Sequence, residues 1–584
     1  MKEFTKKLWE EASPKRVADK SRPPEETIAW VEEQLAASGL KILRGLERVD
    51  QGRLGIPVYL SLYDVEGQQV TGKFKQMGKG ATEALSRASA LMELVERFSL
   101  FSYVRRMQDE PVVPLSQMEE ALSPVELLDS LEDPEGDPRL RAYVEKLLPE
   151  IPFQLAPALS VAENRWRKIP FFWFWLLYEY NGSAAGNTYA EAGVQATCEL
   201  IERHVSALSH RLRSPMPEIR RSSITGEGDC LCRCFERLGI RLWIRDMTYG
   251  MPAPTVAALA LDPSTYPQRS EIVYVSGTGT SPERALVRTL TEMAQLAGDF
   301  DTEGRYLESA LPKFGDLTQA SYVVEKAGEV DLSELPDISA SDHREELRRL
   351  ARELEERGYK LFLVDLTHPR LDLPAVYAVV PGLLFRERTR ISPLYHLTRV
   401  VALYLPRERA LPLLRQIVEE APARYYTWAY LGRLLSQAGD PEGAINALRR
   451  ALELSPEAAD RPAIYAHLAE VYLRAERPSE ALKAAEEGLS WEEFPELWNL
   501  AGRAYFRLRE YAKALVAFFR AVELNPGSAV DLANLGWCLK EMGSPEEARD
   551  FFEKALTLDP TLQTAREGLR WCEKLLKREE EAHV

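Results

Sequence analysis

Glu93, Glu96 and Arg97 recur with the same spacing as Glu199, Glu202 and Arg203. Carboxylates repel phosphate unless cations lie between them. Mg2+ takes six oxygen ligands in an octahedron and often bridges protein carboxylates to substrate phosphates. Two pairs of glutamates from facing helices would hold such ions against a triphosphate. Arg97, Arg203 and Arg288 would offset the remaining phosphate charge. There is no Walker-type G-x-x-x-x-G-K-[ST] sequence, and Gly277-Thr278-Gly279 is too short for a nucleotide fingerprint.

Three helices must position these side chains. The first follows Gly78-Lys79-Gly80; at about 100° per residue, Ser89, Glu93, Glu96 and Arg97 share one face, opposite Leu91, Val95 and Phe98. The second follows Asn181-Gly182 through Gly186-Asn187-Thr188 and aligns Glu191, Gln195, Glu199, Glu202 and Arg203; Thr188 and Glu191 also fit a capping box. The third follows Ser276-Gly277-Thr278-Gly279-Thr280, with Ser281 as N-cap, Pro282 in the first turn, and Arg288, Glu292 and Gln295 on one face. The Glu-x-x-Glu-Arg string by itself is weak evidence, because it also occurs at Glu353, Glu356 and Arg357 in a charged helix, and any surface helix can be acidic on one side. The signal is the combination of a glycine lead-in, an apolar opposite face and the same acidic stripe twice.

The last third of the chain repeats. With Trp428 at position 4 of a 34-residue unit, Leu431, Gly432, Leu435, Ala444, Leu448, Ala451 and Pro456 take positions 7, 8, 11, 20, 24, 27 and 32. Copies begin likewise at Trp498 and Leu532, and a weaker one at Tyr465. The pattern resembles tetratricopeptide repeats, in which small residues let two antiparallel helices approach and large ones fill the gaps. Thr561 to Glu581 reads as a polar capping helix. Residues 406–584 are therefore expected to form an all-α solenoid, and residues 1–405 an α+β domain with a mixed sheet and packed helices. Expected strands are Ile169 to Tyr178, Val256 to Leu261, Ile272 to Val275, Lys360 to Leu366 and Ala375 to Val380. Asp109 to Pro138 is expected to be a surface connection, and Leu335 to His343 a loop.

The composition narrows the function. The 584 residues carry a net charge of −16, which argues against broad nucleic-acid binding. No apolar run approaches the ~20 residues that span a bilayer, and Met1 to Arg16 has no secretory core; a cytoplasmic location is expected. Six cysteines do not make a disulfide framework. Cys230, Cys232 and Cys234 alternate without a second cluster and are expected to be small buried apolar residues. Trp537 and Trp571 lie off the repeat's packing positions and are equally compatible with a binding face. His204 adjoins the acidic stripe, and an ordinary surface or core histidine is the simpler reading.

Taken together, these segments resemble the YcaO family of ATP-dependent enzymes that activate backbone amides. The likeness runs from Gly78-Lys79-Gly80-Ala81-Thr82 to Arg97, from Asn181-Gly182 to Arg203, from Arg288 to Gln295, and includes Val379-Val380-Pro381-Gly382. It covers about residues 15–405. By that resemblance, Glu93, Glu96, Glu199 and Glu202 hold Mg2+ at the phosphates of ATP. Ser89, Asn187, Glu191, Gln195, Arg203 and Arg288 line the nucleotide site, with Lys20 and Thr27 contributed by an N-terminal segment. The family phosphorylates a peptide amide oxygen and lets a nucleophile add to the amide carbon, forming azolines, thioamides or amidines. The resemblance also implies a peptide or protein substrate, a sulfur-transfer or other partner at the repeats, and a homodimer. Members with a helical C-terminal domain are often described as accessory to methylthiolation of a ribosomal protein. Two features depart from the family: the chain continues into repeats instead of a proline-rich tail, and Leu296 stands where an arginine is common. A non-catalytic YcaO-like scaffold serving the repeats is the competing expectation.

Overall fold

A strand that runs through a glycine turn into a long helix occurs three times. Lys75–Lys79 (β1) leads to Glu83–Asp109 (α1), Ser183–Ala185 (β2) to Tyr189–Leu212 (α2), and Val273–Thr278 (β3) to Pro282–Ala297 (α3). In each case two residues separate the strand from the N-cap: Gly80-Ala81 before Thr82, Gly186-Asn187 before Thr188, Gly279-Thr280 before Ser281. Each cap hydroxyl accepts from the backbone N–H three residues on, which satisfies one of the helix's orphan donors. The glycine is needed because the helix folds back over the strand end; a Cβ on Gly80 would sit 2.6 Å from that of Leu85.

In the computed structural model, which describes residues 1–17, 19–301 and 311–583, the chain divides into two units, Met1–Leu394 and Tyr395–Val584. Each of the three strands lies at the edge of its own sheet in the first unit. β1 flanks Val58–Tyr63 and Leu43–Arg48 in an antiparallel three-stranded sheet. β2 ends the order Arg165–Pro170, Leu155–Ser160, Phe362–Asp365, Ala375–Val379, β2. β3 begins the order β3, Thr255–Leu261, Arg241–Asp246, Met216–Ile219, Lys326–Val330, whose last pair is parallel. The result is the expected α+β class with a mixed sheet.

Two expectations fail here. Ile169 to Tyr178 is not one strand: Arg165–Pro170 is the strand, and Phe171–Tyr178 is a helix starting after Pro170. The run is buried on every side except at Trp175, so its apolar pattern has no period that separates helix from strand. Residues 109–138 are not merely a surface connection. Leu115, Leu122, Leu127, Leu128 and Leu131 are buried, and Ser130 accepts from Trp173 Nε1 at 2.9 Å. The helix His343–Glu356 (α4) follows the loop expected from Leu335.

In the second unit, antiparallel helix pairs follow one another: Tyr425–Gln437 with Pro441–Glu453, Arg461–Arg474 with Pro478–Leu489, Pro495–Arg507 with Tyr511–Leu524, and Ala529–Glu541 with Pro545–Leu558. Gln563–His583 closes the array. The repeat's glycine works as read from the sequence: a Cβ on Gly536 would lie 2.7 Å from the Phe552 ring of the partner helix. Trp537 stacks edge-on against Phe552 at 5.6 Å, which makes it a packing residue, and Lys540 lies over both Trp537 and Trp571. Among the described residues, no helix is long and apolar enough to cross a membrane.

Candidate active site

Counted from the three caps, the helices carry equivalent positions. Seven residues past the cap stand Ser89, Gln195 and Arg288; eleven past it, Glu93, Glu199 and Glu292; fourteen past it, Glu96, Glu202 and Gln295; fifteen past it, Arg97, Arg203 and Leu296. Because all three helices start from strand ends with the same turn, these side chains converge, except for Leu296, which packs against the hydrophobic core. Together with the N-terminal segment they line a cavity of about 300 Å³, at the lower end of the usual range for ligand pockets. All twelve expected site residues line it: Lys20, Thr27, Ser89, Glu93, Glu96, Asn187, Glu191, Gln195, Glu199, Glu202, Arg203 and Arg288.

Each acidic pair faces its own arginine. Arg97 reaches Glu93 at 3.6 Å and Glu96 at 3.3 Å, donates to the Tyr180 carbonyl at 3.2 Å and lies over the Tyr180 ring. Arg203 reaches Glu199 at 3.1 Å and Glu202 at 3.5 Å, and its Nε donates to Asn181 at 2.9 Å. Backbone donors fix the carboxylates further: Gly182 N–H to Glu199 at 2.9 Å and Thr278 N–H to Glu202 at 3.1 Å. Ser183 donates to Glu96 at 2.7 Å. Burial raises the carboxyl of Glu96 to about 8, reinforced by Glu199 and Glu93 and opposed by Arg97. Glu93 is raised for the same primary reason. Such crowding of carboxyl groups is unfavourable for folding alone and is characteristic of sites that receive a cation.

Among the described residues, no group of three or more His, Cys, Asp and Glu side chains forms a ready-made metal cage. Mg2+ keeps waters and binds through one or two carboxylates plus substrate phosphates. The donor set is all oxygen, with guanidiniums on the same rim, and fits a metal–polyphosphate. The residues that would hold the ions are Glu93, Glu96, Glu199 and Glu202.

The N-terminal segment closes one side. Glu191 accepts from Ser21 N–H at 3.1 Å and Ser21 Oγ at 2.6 Å, and lies 3.6 Å from Lys20 Nζ. Burial would raise its carboxyl, but Lys20, His343 and Ser21 outweigh this and hold it below the ordinary value. Thr188 therefore supplies only half of the expected capping box, since the Glu191 carboxylate turns to the segment instead. Thr27 donates to Asn187 Oδ1 at 2.9 Å, and Arg288 to Gln195 at 2.6 Å.

Sequence reasoning gave no site role to Arg284 or Lys79, and it placed Glu292 on the face of the third helix with Arg288 without giving it a role. Arg284 pairs with Asp19 at 2.6 Å; it stands three residues past Ser281, as Glu191 does past Thr188, and that register was the available signal. Lys79 pairs with Glu292 inside the cavity; burial, then Arg288, lowers its ammonium to about 8. His204 is buried, accepts from Leu384 N–H at 3.0 Å and is lowered by burial to about 4, so it serves the core as a neutral ring. On the helix Gly226–Glu236, Cys232 is buried as expected, but Cys230 is exposed.

The chain is 28% identical over 381 residues to an uncharacterized protein of Methanothermobacter thermautotrophicus, covering 62% of this chain and 94% of that one. To an uncharacterized protein of Haemophilus influenzae it is 25% identical over 354 residues, covering 52% and 56%. Among solved structures, a heterocyclase in complex with substrate and cofactor shares the fold at a TM-score of 0.52 and 22% identity, over 64% of this chain and 54% of that one. The model of the YcaO cyclodehydratase family, described as ATP- and Mg2+-binding, matches residues 77–384, more than half the chain and the stretch that holds α1, α2 and α3. Tetratricopeptide-repeat models match 407–459, 435–504, 495–528 and 529–562. With three equivalent helices delivering six glutamates and four arginines to one cavity, the chain belongs to the YcaO family, whose cofactors are ATP and Mg2+, and carries tetratricopeptide repeats behind its YcaO region.

Proposed function

We propose that this protein activates a backbone amide of a peptide or protein at the expense of ATP. The observation that carries the reading is the convergence of Glu93, Glu96, Glu199 and Glu202 with Arg97, Arg203 and Arg288 on one cavity. In this reading the amide oxygen attacks the γ-phosphorus and ADP leaves. A nucleophile then adds to the amide carbon, and inorganic phosphate departs with the former amide oxygen. Bound Mg2+ would supply charge neutralisation at the transferring phosphoryl group. The chain's own part is placement. The glutamates fix the polyphosphate end, Arg97 and Arg203 swing from carboxylates and Arg288 from Gln195 to phosphate oxygens, and Lys20, Ser21 and Thr27 close the remaining side over the nucleotide. Fixed donors around developing charge lower the barrier without reorganisation during the step.

The nucleophile decides whether the product is a thioamide, an azoline or an amidine. The repeats are proposed to capture the substrate or a sulfur-transfer partner, a role compatible with an accessory function in methylthiolation. A second reading, a scaffold that binds nucleotide weakly, is favoured by one observation. Leu296 occupies the position at which the other two helices carry Arg97 and Arg203.

Calorimetric titration with ATP, with and without Mg2+, separates the two. Metal-dependent binding that disappears in Glu93→Gln supports the enzyme. A folded protein that takes up no Mg·ATP overturns that reading in favour of the scaffold.

A further inference from the structure

The segment that brings Lys20 to the cavity and Ser21 to Glu191 is tied down at separate points. At its start, Ser13 N–H donates to Asp342 at 3.3 Å and Lys15 N–H to the Ser341 carbonyl at 2.9 Å. At its end, Ser21 is bonded to Glu191. Between these points the chain makes a tight turn, with Arg16 N–H donating to the Lys20 carbonyl at 2.8 Å and Lys20 N–H to the Val17 carbonyl at 2.9 Å. The turn is anchored from outside by Arg284 on the Asp19 carboxylate and by one buried ring, His343, in the first turn of α4.

His343 Nε2 lies 2.8 Å from the Asp19 carbonyl. A carbonyl only accepts, so Nε2 carries the hydrogen and donates. This holds in either charge state of the ring. Nδ1, 2.9 Å from the Ser13 carbonyl and 3.1 Å from Ser13 Oγ, has a partner whether it donates or accepts. The Ser13 hydroxyl is in turn 2.6 Å from that of Thr188, the cap of α2. One side chain therefore links α4, both ends of the turn and the cap of the helix that carries Glu191. The charges near it include Asp342 and Glu346 at the cap and in the first turn of its own helix, Lys15, Asp19 and Lys20 on the segment, Arg284 on the Asp19 carboxylate, and Glu191 on α2.

We propose that His343 is a positioning residue for the nucleotide: by holding the Asp19 carbonyl it presets Lys20 and Ser21 at Glu191 before nucleotide enters. The proposal rests on the reading of the cavity as the Mg·ATP site. Preorganisation of this kind improves affinity by removing an ordering cost that binding would otherwise carry.

The test compares Mg·ATP affinity in the full chain for wild type, His343→Ala, His343→Gln, His343→Asn, Lys20→Ala and the double variant Lys20→Ala/His343→Ala. It is paired with hydrogen exchange of residues 13–21 without nucleotide. His343→Ala is expected to weaken binding about three- to tenfold, the range of one lost hydrogen bond, and to speed exchange at the Lys20 and Ser21 amides. Glutamine, whose amide spans the same reach, is expected to stay within about twofold of wild type, while the shorter asparagine behaves like alanine. The double variant is expected to bind no worse than Lys20→Ala, because His343 acts through Lys20. Unchanged affinity in His343→Ala, or losses that add in full in the double variant, would overturn the proposal. If alanine does not fold, the contrast between glutamine and asparagine decides it. Wild type failing to bind Mg·ATP would sink the nucleotide reading and the positioning role with it, whereas the exchange data would still show whether His343 holds the turn.

Discussion

At the scale of single residues, the site is a set of opposed charges waiting for a larger one. Glu96 holds its proton up to about 8 because it is buried beside Glu199 and Glu93 and only partly relieved by Arg97. A metal ligand must be deprotonated, so Mg·ATP uptake near pH 7 is expected to expel a proton. The calorimetric enthalpy should then differ between buffers of high and low ionisation heat, and affinity should rise from pH 6 to pH 8. An enthalpy independent of buffer would show that the carboxyls are already ionised. The same shift has a consequence for stability. The folded, nucleotide-free chain binds more protons than the unfolded one between the ordinary value of 4.5 and about 8. Glu96 therefore makes the fold less stable as pH rises through that window. Glu93→Gln and Glu199→Gln each remove one carboxylate and are expected to weaken Mg·ATP binding by at least about tenfold, more than 1.4 kcal/mol, with the far-UV spectrum unchanged. Full affinity in both variants would move the metal away from these residues.

At the scale of elements, a common turn imposes a common register. Edge strand, two residues, hydroxyl cap and long helix recur three times, and equal counts from the cap place equal rows of side chains at the cavity. Thr188→Ala removes the acceptor for Glu191 N–H, 3.1 Å away. It is expected to cost about 1 kcal/mol of stability, the usual worth of such a cap, seen as an earlier urea midpoint. Because the cap also touches Ser13, nucleotide affinity should fall as well. A change in midpoint alone would confine Thr188 to capping. The acidic stripes were legible in the sequence because a helix has a fixed period. Arg284 was not singled out, because an arginine three residues into a helix has no meaning until its partner, Asp19, is folded against it.

At the scale of the whole chain, every residue that lines the cavity lies between Asp19 and Gln295. A chain ending at residue 405 is therefore expected to bind Mg·ATP within about threefold of the full protein, a difference under 1 kcal/mol. Measured by the same calorimetry, a larger loss would mean that the repeats contribute to the nucleotide site. On the proposed function, that shorter chain should lose capture of the peptide or protein that the repeats hold.

The two-part organisation, the repeat units and the acidic stripes on the first two helices are legible in the sequence. Each rests on a short-range period: 34 residues for the repeats, the helical turn for the stripes. The repeats read most directly, since Gly536 meets Phe552 within one helix pair. Where the pattern had no period, reading failed. Phe171–Tyr178 is apolar on all sides, and only its surroundings, with Trp173 bonded to Ser130 and Tyr178 to the Val380 and Leu383 carbonyls, make it a helix. The leucines of residues 109–138 likewise became core residues only through what packs on them. The N-terminal segment is the extreme case: Ser13 and Asp19 meet His343 across more than three hundred residues of sequence. No local rule connects them, because the contact exists only once three sheets have set α2 and α4 side by side.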